Sequence, residues 1–142
     1  MTGIFGDTWK AVAMPLRGIL SNVEQMYKRE GEVGYSTNGY KVIEYLRNKN
    51  IQMDKVMMFT DCQMWNSYGS GQTIQSEWKK YKEIAPKAKL YLFDLNGYGQ
   101  SPLNLADNDV VLIAGWSDRV FDMLDAIEQG GNVLAKIKEI EL

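Results

Sequence analysis

The segment Val56-Met57-Met58-Phe59-Thr60-Asp61 constrains the fold most: an apolar run that ends on a carboxylate and passes into Cys62-Gln63-Met64-Trp65 and a Gly/Ser-rich loop. A strand that is apolar at consecutive rather than alternate positions is covered on both faces, the usual condition of a parallel sheet between helices. The same grammar returns in Leu90-Tyr91-Leu92-Phe93-Asp94-Leu95 and in Val110-Val111-Leu112-Ile113-Ala114-Gly115. Helical spacing fills the intervals. Val42, Ile43 and Leu46 form a stripe before the first run, and Thr73 is placed to cap a helix carrying Ile74, Trp78, Tyr81 and Ile84 as far as Pro86. Ser117 and Asp118 open a further helix through Phe121, Leu124 and Ile127, with Gly130-Gly131 as its stop. The tail, Asn132 to Leu142, reads as one more short helix. This alternation predicts a doubly wound, three-layer α/β/α domain of Rossmann-like type.

The first thirty residues follow another pattern. Thr2-Gly3-Ile4-Phe5 and Trp9-Lys10-Ala11-Val12-Ala13 flank Gly6-Asp7-Thr8, which is hairpin chemistry, and Pro15 closes the second strand. Leu16, Ile19, Leu20, Val23 and Met26-Tyr27 then recur as an amphipathic helix that Gly31 ends. Trp78 and Tyr81 are expected in the core, and Lys79, Lys80 and Lys82 on a solvated face.

Composition narrows the function. At 142 residues and 45% hydrophobic content the chain closes one core, so residues 1–142 are read as a single domain. Its formal charge of -2 implies no broad basic surface for a nucleic-acid backbone. One cysteine and no histidine exclude an internal disulfide, a Ser/His/Asp or Cys/His nucleophilic centre and a histidine-ligated zinc. No stretch nears the roughly 20 apolar residues of a membrane span. A cytoplasmic protein with no membrane partner is expected.

The carboxyl edge of such a sheet is where ligands bind. Asp61 is delivered there beside the Thr60 hydroxyl and has the chemistry of a hard-cation ligand, or alternatively accepts amides of its own loop. Asp94 ends the next run in the same manner. Asp7 either supplies a further carboxylate or makes the hairpin turn. Thr37, with Ser36 or Asn38, is a natural helix N-cap by residue type. Trp65 either offers an aromatic contact or folds back over the sheet, and Cys62 is a small buried hydrophobe.

Taken in order, Phe5-Gly6-Asp7, Gly34-Tyr35-Ser36-Thr37-Asn38, Phe59-Thr60-Asp61, Trp78-Lys79-Lys80-Tyr81, Ala88-Lys89-Leu90, Leu105-Ala106-Asp107 and Ala114-Gly115-Trp116-Ser117 resemble the von Willebrand factor A-type domain of the Ro ribonucleoprotein family, whose larger members carry a TROVE module. The resemblance spans nearly the whole chain. It implies a metal-ion-dependent adhesion site in which Thr37 and Asp61 match the family's threonine and second aspartate, with partner contact at Ser36, Asp7, Trp65 and Asp94. It implies Mg²⁺ in an intact domain. It also implies noncoding RNA as the partner of another module, and a protein partner at the carboxyl edge.

The departure is equally specific. No Asp-x-Ser-x-Ser segment occurs, so the chain reads as an N-terminally truncated, partial domain that lacks the first strand and its oxygen ligands, and no cofactor is expected in it. The run at 56–60 would then be left with an open edge, and Ile4-Phe5 is expected to move in beside it. The leading function is a non-enzymatic adjunct domain of a Ro-like RNA-binding protein. The alternative is a Mg-dependent phosphoryl-transfer or phosphatase enzyme with Asp61 as nucleophile. Against it, neither a second aspartate two residues on nor a glycine-rich phosphate loop is present.

Overall fold

A computed structural model describes residues 1–16, 18–61, 73–97, 103 and 109–129. Its elements, in order, are β1 (Thr2–Phe5), β2 (Trp9–Val12), α1 (Ile19–Tyr27), α2 (Tyr40–Asn48), β3 (Lys55–Thr60), α3 (Ile74–Ile84), β4 (Lys89–Asp94), β5 (Val110–Ala114) and α4 (Val120–Glu128). The three apolar runs form one parallel sheet in the order β3-β4-β5, with Val56 opposite Leu90 and Leu90 opposite Val110. The period of two sorts their side chains to two faces. Val56, Met58, Leu90, Leu92 and Val110 meet α2 and α3 in one core, and Tyr91, Phe93 and Ile113 meet Val120 and Leu124 of α4 in the other. The domain is a three-layer α/β structure with helices on both sides of the sheet.

Local chemistry accounts for the elements. Thr73 caps α3 reciprocally: its hydroxyl accepts from the Ser76 amide, and the Ser76 hydroxyl accepts from the Thr73 amide, each at 3.0 Å. Pro86 follows Ala85, where the helix ends. Tyr81 is fully buried, and its hydroxyl donates to the Ile51 carbonyl at 3.0 Å and accepts from the Met53 amide at 2.8 Å. That hydroxyl fixes α3 to the segment entering β3. Glu77, also fully buried, holds Arg47 of α2 at 3.1 Å and Lys80 at 2.7 Å. Lys82 departs from the expected solvated face. It pairs with Asp109 at 3.0 Å and donates to the Ala88 carbonyl at 2.8 Å, because β4 starts beneath its helix turn.

The hairpin forms, with Gly6 donating to the Thr8 carbonyl at 2.9 Å across the turn. Gly3 lies beneath the Trp9 indole: a Cβ there would sit 2.2 Å from the ring and 2.5 Å from the Lys10 carbonyl. The hairpin docks through Thr8 on the Val33 carbonyl, Lys10 on Glu32, and Trp9 near Tyr45, rings 6.0 Å apart.

Two expectations are corrected. Ile4 and Phe5 pair with Lys10 and Trp9 rather than with β3, because the hairpin satisfies β1 locally. Among the described residues no strand pairs with the outer edge of β3. Among the described residues β3 is also covered on one face only: Val56 and Met58 are buried, while Met57 and Phe59 are 40% and 47% exposed. The helix at 16–29 is shorter than its periodic stripe, starting at Ile19 after Gly18 in the left-handed region. None of its residues is buried, so its apolar stripe lies bare. Gly130-Gly131 and the expected tail helix lie outside the described residues.

Candidate functional site

The three parallel strands end in register at Thr60, Asp94 and Ala114, which makes this level the carboxyl edge. Parallel pairing continues one step past the strands, with Leu95 donating to the Thr60 carbonyl and Gly115 to the Asp94 carbonyl, each at 2.8 Å. The candidate residues fall into three groups.

Thr37 and Asp61 both line a groove of about 800 Å³ that runs along β3. Thr60 is buried next to Asp61, its hydroxyl 3.4 Å from an Asp61 carboxylate oxygen. Thr37 is not the cap of α2. That position is Gly39, whose amide donates to the Thr37 carbonyl at 2.9 Å, so the threonine belongs to the turn before the helix and to the groove wall.

Ser36 and Asp7 form the second group. The Ser36 hydroxyl donates to the Asp7 carboxylate, tying the hairpin turn to the segment entering α2. The same carboxylate lies against Gly34, whose φ of 81° is open to glycine, and a Cβ there would fall 1.9 Å from an Asp7 oxygen.

Asp94 stands alone in character. It is fully buried, and its carboxylate accepts the amides of Asn96 and Gly97 at 3.1 Å each. These bonds close the loop leaving β4 as an Asx turn, and they account for a carboxylate inside the core. Trp65 and Cys62 lie outside the described residues.

For Mg²⁺, which takes a near-octahedral set of oxygens, the fit is poor. Thr37 and Asp61 offer one hydroxyl and one carboxylate. Asp7 is held by Ser36 and Asp94 by its own loop, and no cluster of three metal-ligating side chains occurs among the described residues.

An aromatic surface went unread in the sequence. Phe59 stacks on Phe93 with ring centroids 4.4 Å apart, Trp116 lies 6.0 Å from Phe59, and Phe121 meets Trp116 edge-on at 5.9 Å. Phe59, Trp116 and Phe121 are each about half exposed. The signal was present in the register, since Phe59 and Phe93 stand opposite in adjacent strands. Reading β3 as covered on both faces concealed it.

At the opposite end of the sheet, Glu128 of α4 accepts from Lys55 at 2.6 Å and from the Tyr91 hydroxyl at 2.8 Å. The Lys55 and Tyr91 hydrogen bonds hold the Glu128 carboxyl below its ordinary range. Burial first, then the bond to Glu128, push the Tyr91 phenol up to about 12. No helix among the described residues is long and apolar enough to cross a membrane. Compared with protein-family models the sequence matches none, and no curated protein matches it.

Proposed function

We propose that this chain is a binding domain of the von Willebrand factor A type, adjunct to the RNA-gripping part of a Ro-like ribonucleoprotein, with its partner contact at the carboxyl edge. The observation that supports the reading is that Thr37 and Asp61 both line the groove along β3. These are the two positions that the resemblance assigns to the adhesion site, and they lie 24 residues apart in sequence yet line one groove. The apolar and aromatic surroundings favour contact with a protein over chemistry on a small polar substrate.

Under this reading RNA binding belongs elsewhere. The isolated chain, titrated with a structured noncoding RNA at physiological salt, is expected to give no complex tighter than about micromolar, the level of nonspecific contact. A submicromolar complex would overturn the adjunct role. Calorimetric titration with Mg²⁺ is expected to show only weak binding, since two ligands fall short of an octahedral set. Turnover of an aryl phosphate that required Mg²⁺ and vanished in Asp61→Asn would replace this reading with the phosphoryl-transfer one.

A further inference from the structure

We propose that the face of β3 carrying Met57 and Phe59 is the docking surface for the chain's own C-terminal segment, residues 130–142, which packs there as a short helix beside α4. The inference is independent of the adjunct reading and of where RNA binds. Three observations assign the occupant.

The first is the surface itself. Met57 and Phe59 are exposed, although Tyr91 and Phe93, their partners across the ladder, are fully buried in the core that α4 closes. In that core Val120 and Leu124 of α4 meet residues of β4 and β5, so the helix layer covers those two strands and leaves the side chains of β3 open. Packed helices lie about 8–10 Å apart, roughly two strand spacings of about 4.8 Å each. A helix laid beside α4 on the side away from β5 therefore falls over β3.

The second is the point at which the chain leaves α4. The last residue of that helix, Glu128, accepts from Lys55, the first residue of β3, at 2.6 Å and from the Tyr91 hydroxyl at 2.8 Å. The chain thus arrives at the amino end of β3, at the foot of the open face. Gly130-Gly131 permits a sharp reversal there, and residues 132–142 remain to run back along the strand. As a helix they extend about 16 Å. The distance from Lys55 to Phe59 along the strand is about 13 Å, so the segment is long enough to cover both Met57 and Phe59.

Pattern and tether are the third. Val133, Leu134, Ile137 and Ile140 recur at helical spacing, and Lys136, Lys138 and Glu139 lie off that stripe. The stripe matches the apolar character of the open face. A segment held by a linker as short as two glycines is present at an effective concentration in roughly the millimolar range, which favours it over a second copy arriving from solution. So short a segment is marginal as an isolated helix, and protection of its amides therefore reports docking.

Hydrogen exchange on the full chain, read residue by residue by NMR, tests the assignment. The amides of residues 134–140 are expected to exchange about tenfold or more slower than in an unstructured peptide of the same sequence, with no change on dilution. Met57→Lys and Phe59→Lys, each of which places a charge on the face, should return them to the peptide's rate, and so should Ile137→Lys within the stripe. Val23→Lys, on the bare stripe of α1, should leave them protected. The amides of Leu90 to Phe93 establish in the same spectra that each variant is folded, and Met57→Lys serves if Phe59→Lys is not.

Tail amides that exchange at the peptide's rate in the unaltered chain would overturn the proposal. Protection lost on dilution would overturn it in favour of a second copy, and protection that survives Met57→Lys but not Val23→Lys would seat the tail on α1 instead. Slowed exchange at alternate amides along the outer edge of β3, lost together with tail protection in Ile137→Lys, would make the tail an added strand and not a helix on the face.

Discussion

Two tyrosines show how single hydroxyls determine stability here. Tyr81 satisfies both a carbonyl and an amide of the segment entering β3, so Tyr81→Phe leaves two part-buried backbone groups without their partner. A loss of about 2 kcal/mol is expected from urea unfolding, since each orphaned group costs about 1–3 kcal/mol and relaxation recovers part of it. Tyr91 contributes to the alkaline limit. Its phenol titrates at about 12 in the folded chain against 10.0 for an ordinary tyrosine, raised by burial and by the bond to Glu128. The folded state holds its proton longer than the unfolded state, so this contribution is constant below pH 10 and is lost as pH rises from 10 to about 12. Thermal unfolding followed across that window should show a steep fall in Tm, visibly shallower in Tyr91→Phe. An unchanged slope would mean that the Tyr91 phenol is not held above its ordinary range in the folded chain.

Between elements, the α2–α3 contact rests on a buried carboxylate rather than on apolar packing alone. Glu77 is fully buried while its partners Arg47 and Lys80 are partly exposed. Arg47→Met strands much of that charge in the core and is expected to cost about 2 kcal/mol, below the 3–5 kcal/mol of a fully buried pair because water reaches the partners. Adding Glu77→Leu should restore most of the loss, as apolar replacement of a buried pair often does. A double variant no more stable than Arg47→Met would refute this account. The elements themselves were legible where one local signal decided them: Thr73 for the start of α3, Gly6-Asp7-Thr8 for the hairpin, consecutive apolar residues for β4. What escaped the sequence was relational. Lys82 reads as a surface charge, and the burial of Glu77 goes unread, because helical periodicity carries no information about Asp109 or Arg47 arriving from elsewhere. Of the candidate site, the placement of Asp61 just past a strand end was foreseeable from the apolar run that precedes it. The burial of Asp94 was not, because it depends on which loop amides turn back onto it.

At the scale of the molecule, cohesion is graded across the sheet. β4 is paired on both edges, sandwiched between the two cores, and fully buried from Leu90 to Phe93. Among the described residues β3 has one paired edge and one covered face, the β1–β2 hairpin pairs only with itself, and no residue of α1 is buried. An element with no buried residue has little beyond its own hydrogen bonds to hold it, and a nine-residue helix is marginal alone. Opening free energies should therefore rise from α1, through the hairpin and the alternate amides on the outer edge of β3, to β4. Native-state hydrogen exchange is expected to place α1 amides near the unprotected limit and Leu90 to Phe93 at the global unfolding free energy. Protection in α1 comparable with that in β4 would show that the stripe of Ile19, Leu20 and Val23 is covered in solution, and that the gradient begins elsewhere.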